Sequence, residues 1–181
     1  MKEGISVTEI DPKVDFIFKL IFGNEENTDI FLSLLNSILK LEEKDKLDKI
    51  EVLNPFIRKE LLEEKTSILD VKAKTATGEL INIEIQLSNK YNMDKRSLFY
   101  WSRLYSGQLA GGHDYKELKK TITINIINFN YIDGDNFHKI FHIKEDSSEK
   151  ILNDDLEIHF VELLKVPKAT KEERDPLQMW V

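Results

Sequence analysis

Residues 67–87 read SILDVKAKTATGELINIEIQL, and this stretch decides the fold. Within it, 67–74 and 80–87 alternate polar and apolar residues, the period of a half-buried strand. The link 75–79 contains Gly78 and has the length of an ordinary hairpin connection. Pairing symmetric about residue 77 sets Asp70 opposite Glu84, Lys72 opposite Asn82 and Ile68 opposite Gln86. Side chains alternate across a strand, so those six share one face. Leu69, Val71, Ala73, Ile81, Ile83 and Ile85 share the other, which is uniformly apolar and must be core. The first face instead concentrates two carboxylates, an amine and two amides.

Directly opposed residues of one face have Cβ atoms about 4.5–5.5 Å apart, and like charges so placed destabilise a sheet. A divalent cation between Asp70 and Glu84 converts that repulsion into ligation. Mg²⁺ suits such a place, because one or two carboxylates commonly hold it while water and substrate phosphate complete its shell. Phosphodiester hydrolysis needs what such an ion supplies: a polarised phosphate, an activated water and shielding of developing charge. Gln86 or Lys72 is then placed to orient the water or touch the phosphate. The plainer alternative is two acids on a solvent-facing hairpin.

Outward from the hairpin, residues 14–22 form a short amphipathic pattern that Gly23 stops. Residues 27–40 carry apolar side chains at Ile30, Phe31, Leu34, Leu35, Ile38 and Leu39, the helical period. A first strand is expected at 50–53, closed by Asn54-Pro55. Residues 93–111 read as a long helix stopped by Gly111-Gly112, and 121–129 as a β-branched central strand. Shorter strands are expected at 139–143 and 157–163. Residues 172–181 look like the start of another element, which leaves open that the chain is truncated. The order is helix, strand, strand, strand, helix, strand, preceded by one more helix: an α/β domain with a central mixed sheet covered by helices.

Composition narrows the chemistry. The 181 residues are 41% hydrophobic, enough for one packed domain, and contain no cysteine, which removes disulfides, thiolate metal sites and a cysteine nucleophile. No apolar stretch is long enough to span a bilayer and no secretory signal is visible, so a cytoplasmic protein without membrane association is expected. The four histidines lie outside the hairpin and no nucleophile elbow occurs. A net charge of −7 disfavours a general polyanion binder. Residues 87–120 are the exception, with seven basic and three acidic side chains, a net of +4.

The ordered set DFIFKLIFG, LLNSIL, ILDVKA, GELINIEIQ, KRSLFYWSRLYSGQLAGGHDY and ITINIINF resembles the PD-(D/E)xK nuclease superfamily. More narrowly, it resembles the recombination-promoting nuclease, or putative transposase, family (Rpn). The resemblance covers roughly residues 13–165. It implies a restriction-endonuclease-like core of order α-β-β-β-α-β, with 1–12 as a lead-in and 166–181 as the start of a C-terminal extension. It implies a metal-dependent DNA endonuclease linked to recombination or transposition, using Mg²⁺ with Mn²⁺ able to substitute. Asp70 and Glu84 fall on the metal ligands, and Gln86 on the motif lysine. A glutamine can only orient by hydrogen bonds, which leaves open whether Lys72 supplies the positive charge. Asp15 falls on a family-typical acid, an additional ligand or water-orienting group, although its i, i+4 spacing to Lys19 also suits a surface pair. Arg96, Tyr100 and Arg103 follow one side of the second long helix, where arginine forks match phosphate oxygens. The alternative is a catalytically inactive nuclease-like module that binds DNA or protein; homo-oligomerisation stays open.

Overall fold

In a computed structural model, described for residues 15–53, 70–88, 91–112, 114–168 and 174–180 apart from the side chains of Asp15, Phe16 and Asp70, the elements follow the alternations of the sequence. Helices α1 (Asp15–Phe22) and α2 (Thr28–Leu39) precede β1 (Ile50–Val52), β2 (Asp70–Thr75) and β3 (Leu80–Gln86). Then come α3 (Met93–Ser106), β4 (Thr121–Ile127), β5 (His138–Phe141) and β6 (Leu156–Glu162). The strands form one six-stranded sheet in the order β1-β2-β3-β4-β6-β5. β3, β4 and β6 are mutually parallel, and the remaining pairs are antiparallel. A parallel β3–β4 pair needs a crossover connection, and α3 provides it.

The hairpin has the expected register: Asp70 pairs with Glu84, Lys72 with Asn82 and Ala73 with Ile81. Ile68 lies outside the described residues. Gly78 has φ +95°, the left-handed conformation that favours glycine, and its N–H bonds the Thr75 carbonyl at 3.0 Å to close the turn.

Both faces of the sheet are covered, as an α/β architecture requires. On one, Phe18 and Phe22 of α1 and Phe31, Leu35 and Ile38 of α2 pack on Val71, Ala73, Ile81, Ile83 and Ile124. The other face carries α3, with Met93 against Ile127, Leu156, Ile158 and Phe160. Every residue of β4 is buried, including Thr121, Thr123 and Asn125 beneath α3. The expected α/β restriction-endonuclease-like fold, a mixed sheet flanked by helices, is the one found.

Two expectations need correction. The long helix ends at Ser106, five residues before the glycine pair, with Gly107 as its cap. Gln108 explains the stop: its side chain accepts from the Lys119 N–H at 2.9 Å and donates to the Lys119 carbonyl at 2.9 Å, tying the chain to the start of β4. β4 stops at Ile127, level with Gln86 and Glu162, the last paired residues of its two neighbours, and Phe129 beyond it still packs in the cluster beneath α3. Residues 174–180, within the expected C-terminal extension, form a turn. They pack back on the α1–α2 side, with Leu177 buried and the Trp180 ring 6.0 Å from that of Phe22. No helix among the described residues is long and apolar enough to cross a membrane.

Candidate active site

Register lines up the polar face of the hairpin with β4 in rows. Lys72, Asn82 and Thr123 form one, and Asp70, Glu84 and Asn125 the next, with Gln86 beside Ile127 beyond them. Glu84 and Gln86 lie at the carboxyl end of β3, the end at which open α/β sheets bind ligands. Asp70 is placed by backbone register alone. Asp15 is the first residue of α1, and its side chain lies outside the described residues.

Glu84 is only 3% exposed. A carboxylate so buried is tolerated when paired, and Arg96 of α3 supplies the pair: its Nη2 donates to Glu84 Oε1, and its Nη1 donates to Gln86 Oε1 at 3.3 Å. The sequence of α3 explains the aim of Arg96. Met93, Ser97 and Trp101 recur at helical spacing and form the inner stripe, two of them fully buried. Ser97 Oγ pins that stripe to β4 by a 2.8 Å bond with Asn125 Oδ1, and Asn125 Nδ2 in turn donates to the His159 carbonyl at 3.0 Å. Arg96, one residue before this anchor, is thereby directed across to β3. The chain enters α3 through two consecutive left-handed residues, Tyr91 (φ 60°) and Asn92 (φ 55°). Each costs about 1–2 kcal/mol in a non-glycine residue, strain of a kind that clusters at functional sites.

The sequence did not disclose this contact of Arg96: its spacing groups Arg96 with Tyr100 and Arg103 as phosphate contacts and leaves open whether Lys72 supplies the charge. Beside Gln86, the fixed cation comes from α3, since a guanidinium cannot be deprotonated in a protein. The available signal was the position of Arg96 next to the inner stripe. Lys72 is half-buried on the same polar face. The Arg96 guanidinium also lies 5.8 Å from the half-buried Tyr100 ring, while the exposed Arg103 lies 5.8 Å from the ring of Phe99.

The donors on this face fit a hard divalent cation. They are oxygens, with no histidine or cysteine among them. Asn82 Oδ1 and Thr123 Oγ1, neighbours in register, are buried and have no hydrogen-bond partner among the described residues. A second acidic group, His142, Asp154 and Glu157, brings ligand atoms within 4.8 Å of one another. There the Lys120 ammonium already bridges Asp154 at 2.8 Å and Glu157 at 2.7 Å. Glu157 pairs in register with Ile122, which places it on the α1–α2 face, away from Glu84.

Next to that group, buried His159 links Glu157 (2.5 Å) to His138 (2.9 Å). Burial, then the neighbouring His159 and Lys40, push the His138 imidazole down from 6.5 to about 4. Between those two values the unfolded chain binds a proton that the folded chain does not, so stability rises with pH across the window and falls as acid is added. We expect the urea midpoint to drop between pH 7 and about pH 4.5, with a smaller drop in His138→Gln. An equal drop in both chains removes His138 as the cause.

Residues 12–181 match the family model described as PD-(D/E)XK nuclease family transposase. No curated protein and no solved structure matches the chain. Nucleases of the PD-(D/E)XK type generally use divalent metal ions, in keeping with the oxygen donors beside Glu84. By the match over nearly its whole length, the chain belongs to the PD-(D/E)XK nuclease family transposases.

Proposed function

We propose that the chain is a Mg²⁺-dependent DNA endonuclease that hydrolyses phosphodiester bonds in the service of recombination or transposition. The observation that carries this reading is Glu84: a carboxylate buried at the carboxyl end of a central parallel strand, paired with a guanidinium and opposite Asp70 in register. A pure scaffold gains nothing from opposed acids at a sheet centre. Asp70 and Glu84 would hold the ion, Mg²⁺ or in its place Mn²⁺. Bound there, it would polarise the phosphate, activate water and shield developing charge.

The chain's own residues do the rest. Arg96 presents a planar fork of the shape that phosphate oxygens accept. Gln86 orients by hydrogen bonding, and Lys72 adds a charge on the same face. Asp15 is retained as an additional water-orienting candidate, and Tyr100 and Arg103 as contacts to the nucleic acid. Glutamine at the motif-lysine position favours one other reading, a nuclease-like module that binds without cutting.

Supercoiled plasmid incubated with Mg²⁺, Mn²⁺ or EDTA separates the two. Nicking and linearisation in Mg²⁺ or Mn²⁺, absent in EDTA, is the expected result. A folded chain that cuts in neither metal is the binding module instead.

A further inference from the structure

The positive segment of the chain is organised around α3. Residues 87–120 carry a net charge of +4 in a chain of net −7. The one acid of α3 is Asp94, whose carboxylate accepts from Tyr131 Oη at 2.6 Å. Beyond it the outer face exposes two apolar side chains, Leu98 (51% exposed) and Phe99 (56% exposed). Phe99 stands in a series. The Arg96 guanidinium lies 5.8 Å from the Tyr100 ring, and the Tyr100 ring meets that of Phe99 edge-on at 5.7 Å. Arg103 then lies 5.8 Å from Phe99. Cation, ring, ring and cation thus run along one helix surface, and the first member bonds Glu84.

We propose that this ladder is a track for an unpaired segment of DNA, whose bases stack on Phe99 and Tyr100 while Arg103 and Arg96 hold the phosphates leading to Glu84. The proposal rests on the nuclease reading above. Proteins that grip single strands combine a basic groove with aromatic faces, and the stacking tolerates any base. A closed duplex offers no base face to an exposed ring. For a major groove, α3 lacks the asparagine and glutamine that pair with adenine, and its two arginines, which could read guanine, lie against the rings instead. Rings and arginines also suit a protein interface; the net charge of +4 over residues 87–120 and the continuity of the ladder with Glu84 favour the polyanion.

The test measures binding and cleavage separately on the full chain. Fluorescence anisotropy in Mg²⁺, on a Glu84→Gln background that limits cutting, compares a labelled single strand, the closed duplex and a duplex with a splayed end. The single strand and splayed end should bind about tenfold more tightly than the closed duplex, and Phe99→Ala should remove about that factor. Phe99→Trp should restore it, and Arg103→Ala should weaken binding and its salt dependence together. Phe99 is exposed, so its truncation leaves the core intact. Equal binding of all three DNAs, unaffected by Phe99→Ala, overturns the track even if plasmid is cut. Loss of self-association in Phe99→Ala without loss of DNA binding assigns the surface to a second copy and also overturns it. Ladder-dependent binding of single strands in a chain that cuts nothing leaves the track standing and removes the nuclease reading.

Discussion

Glu84→Gln is expected to slow plasmid cleavage by about a thousandfold while the chain stays folded. Metal assistance lowers a phosphoryl-transfer barrier by several kcal/mol, and each 1.36 kcal/mol is about tenfold in rate, so loss of one of two carboxylate ligands reaches about three decades. Glutamine keeps the shape of Glu84 and its Oε1, which still accepts from Arg96 Nη2. The charge it removes leaves a guanidinium that is 26% exposed and keeps part of its hydration, so stability should change by only about 1 kcal/mol. The measurement is the nicking rate in Mg²⁺, with the circular dichroism melting curve as the folding control. Cleavage at the wild-type rate would mean that Glu84 holds no ion, and the site would have to be sought elsewhere. Asp70→Asn probes the partner position, which register alone assigns.

Glu162→Ala should cost about 3–5 kcal/mol of stability, the magnitude for breaking a buried ion pair from one side. Glu162 is fully buried at the end of β6, and its carboxylate collects several donors. The N–H groups of Tyr131 and Ile132 reach Oε1 at 2.7 and 3.2 Å, and the ammonium groups of Lys139 and Lys165 reach Oε2 at 3.0 and 2.9 Å. Burial opposes the charge, yet these donors outweigh it and hold the carboxyl below its ordinary value. Removing the carboxylate strands two half-buried ammonium groups and releases the 128–137 connection from the sheet. With a urea slope of about 2 kcal/mol/M, the midpoint should fall by about 2 M at unchanged slope. A loss under about 1 kcal/mol would show that both lysines find water at no cost. Because the Lys165 ammonium also bonds the Ile132 carbonyl, Glu162→Gln should fall between the two.

The hairpin is the part of this protein that its sequence determined. A side-chain period of two, a short link and a glycine that can take positive φ leave one register that buries the face of Val71, Ala73, Ile81, Ile83 and Ile85, and that register brings Asp70 to Glu84. The inner faces of α1 and α2 follow for the same local reason, because Phe31, Leu35 and Ile38 recur at helical spacing. The length of α3 was not legible, since the side chain that ends it, Gln108, acts through Lys119, eleven residues away. Nor was the charge beside Glu84. Spacing gives Arg96, Tyr100 and Arg103 one common side, but the depth at which α3 sits is decided by the Ser97–Asn125 bond between elements far apart in the chain. Tertiary contact alone therefore turned Arg96 inward, left Phe99 in solvent and gathered Lys139 and Lys165 on Glu162. Periodicity reports which face of an element is buried; it carries no information on which distant polar group a buried charge will meet.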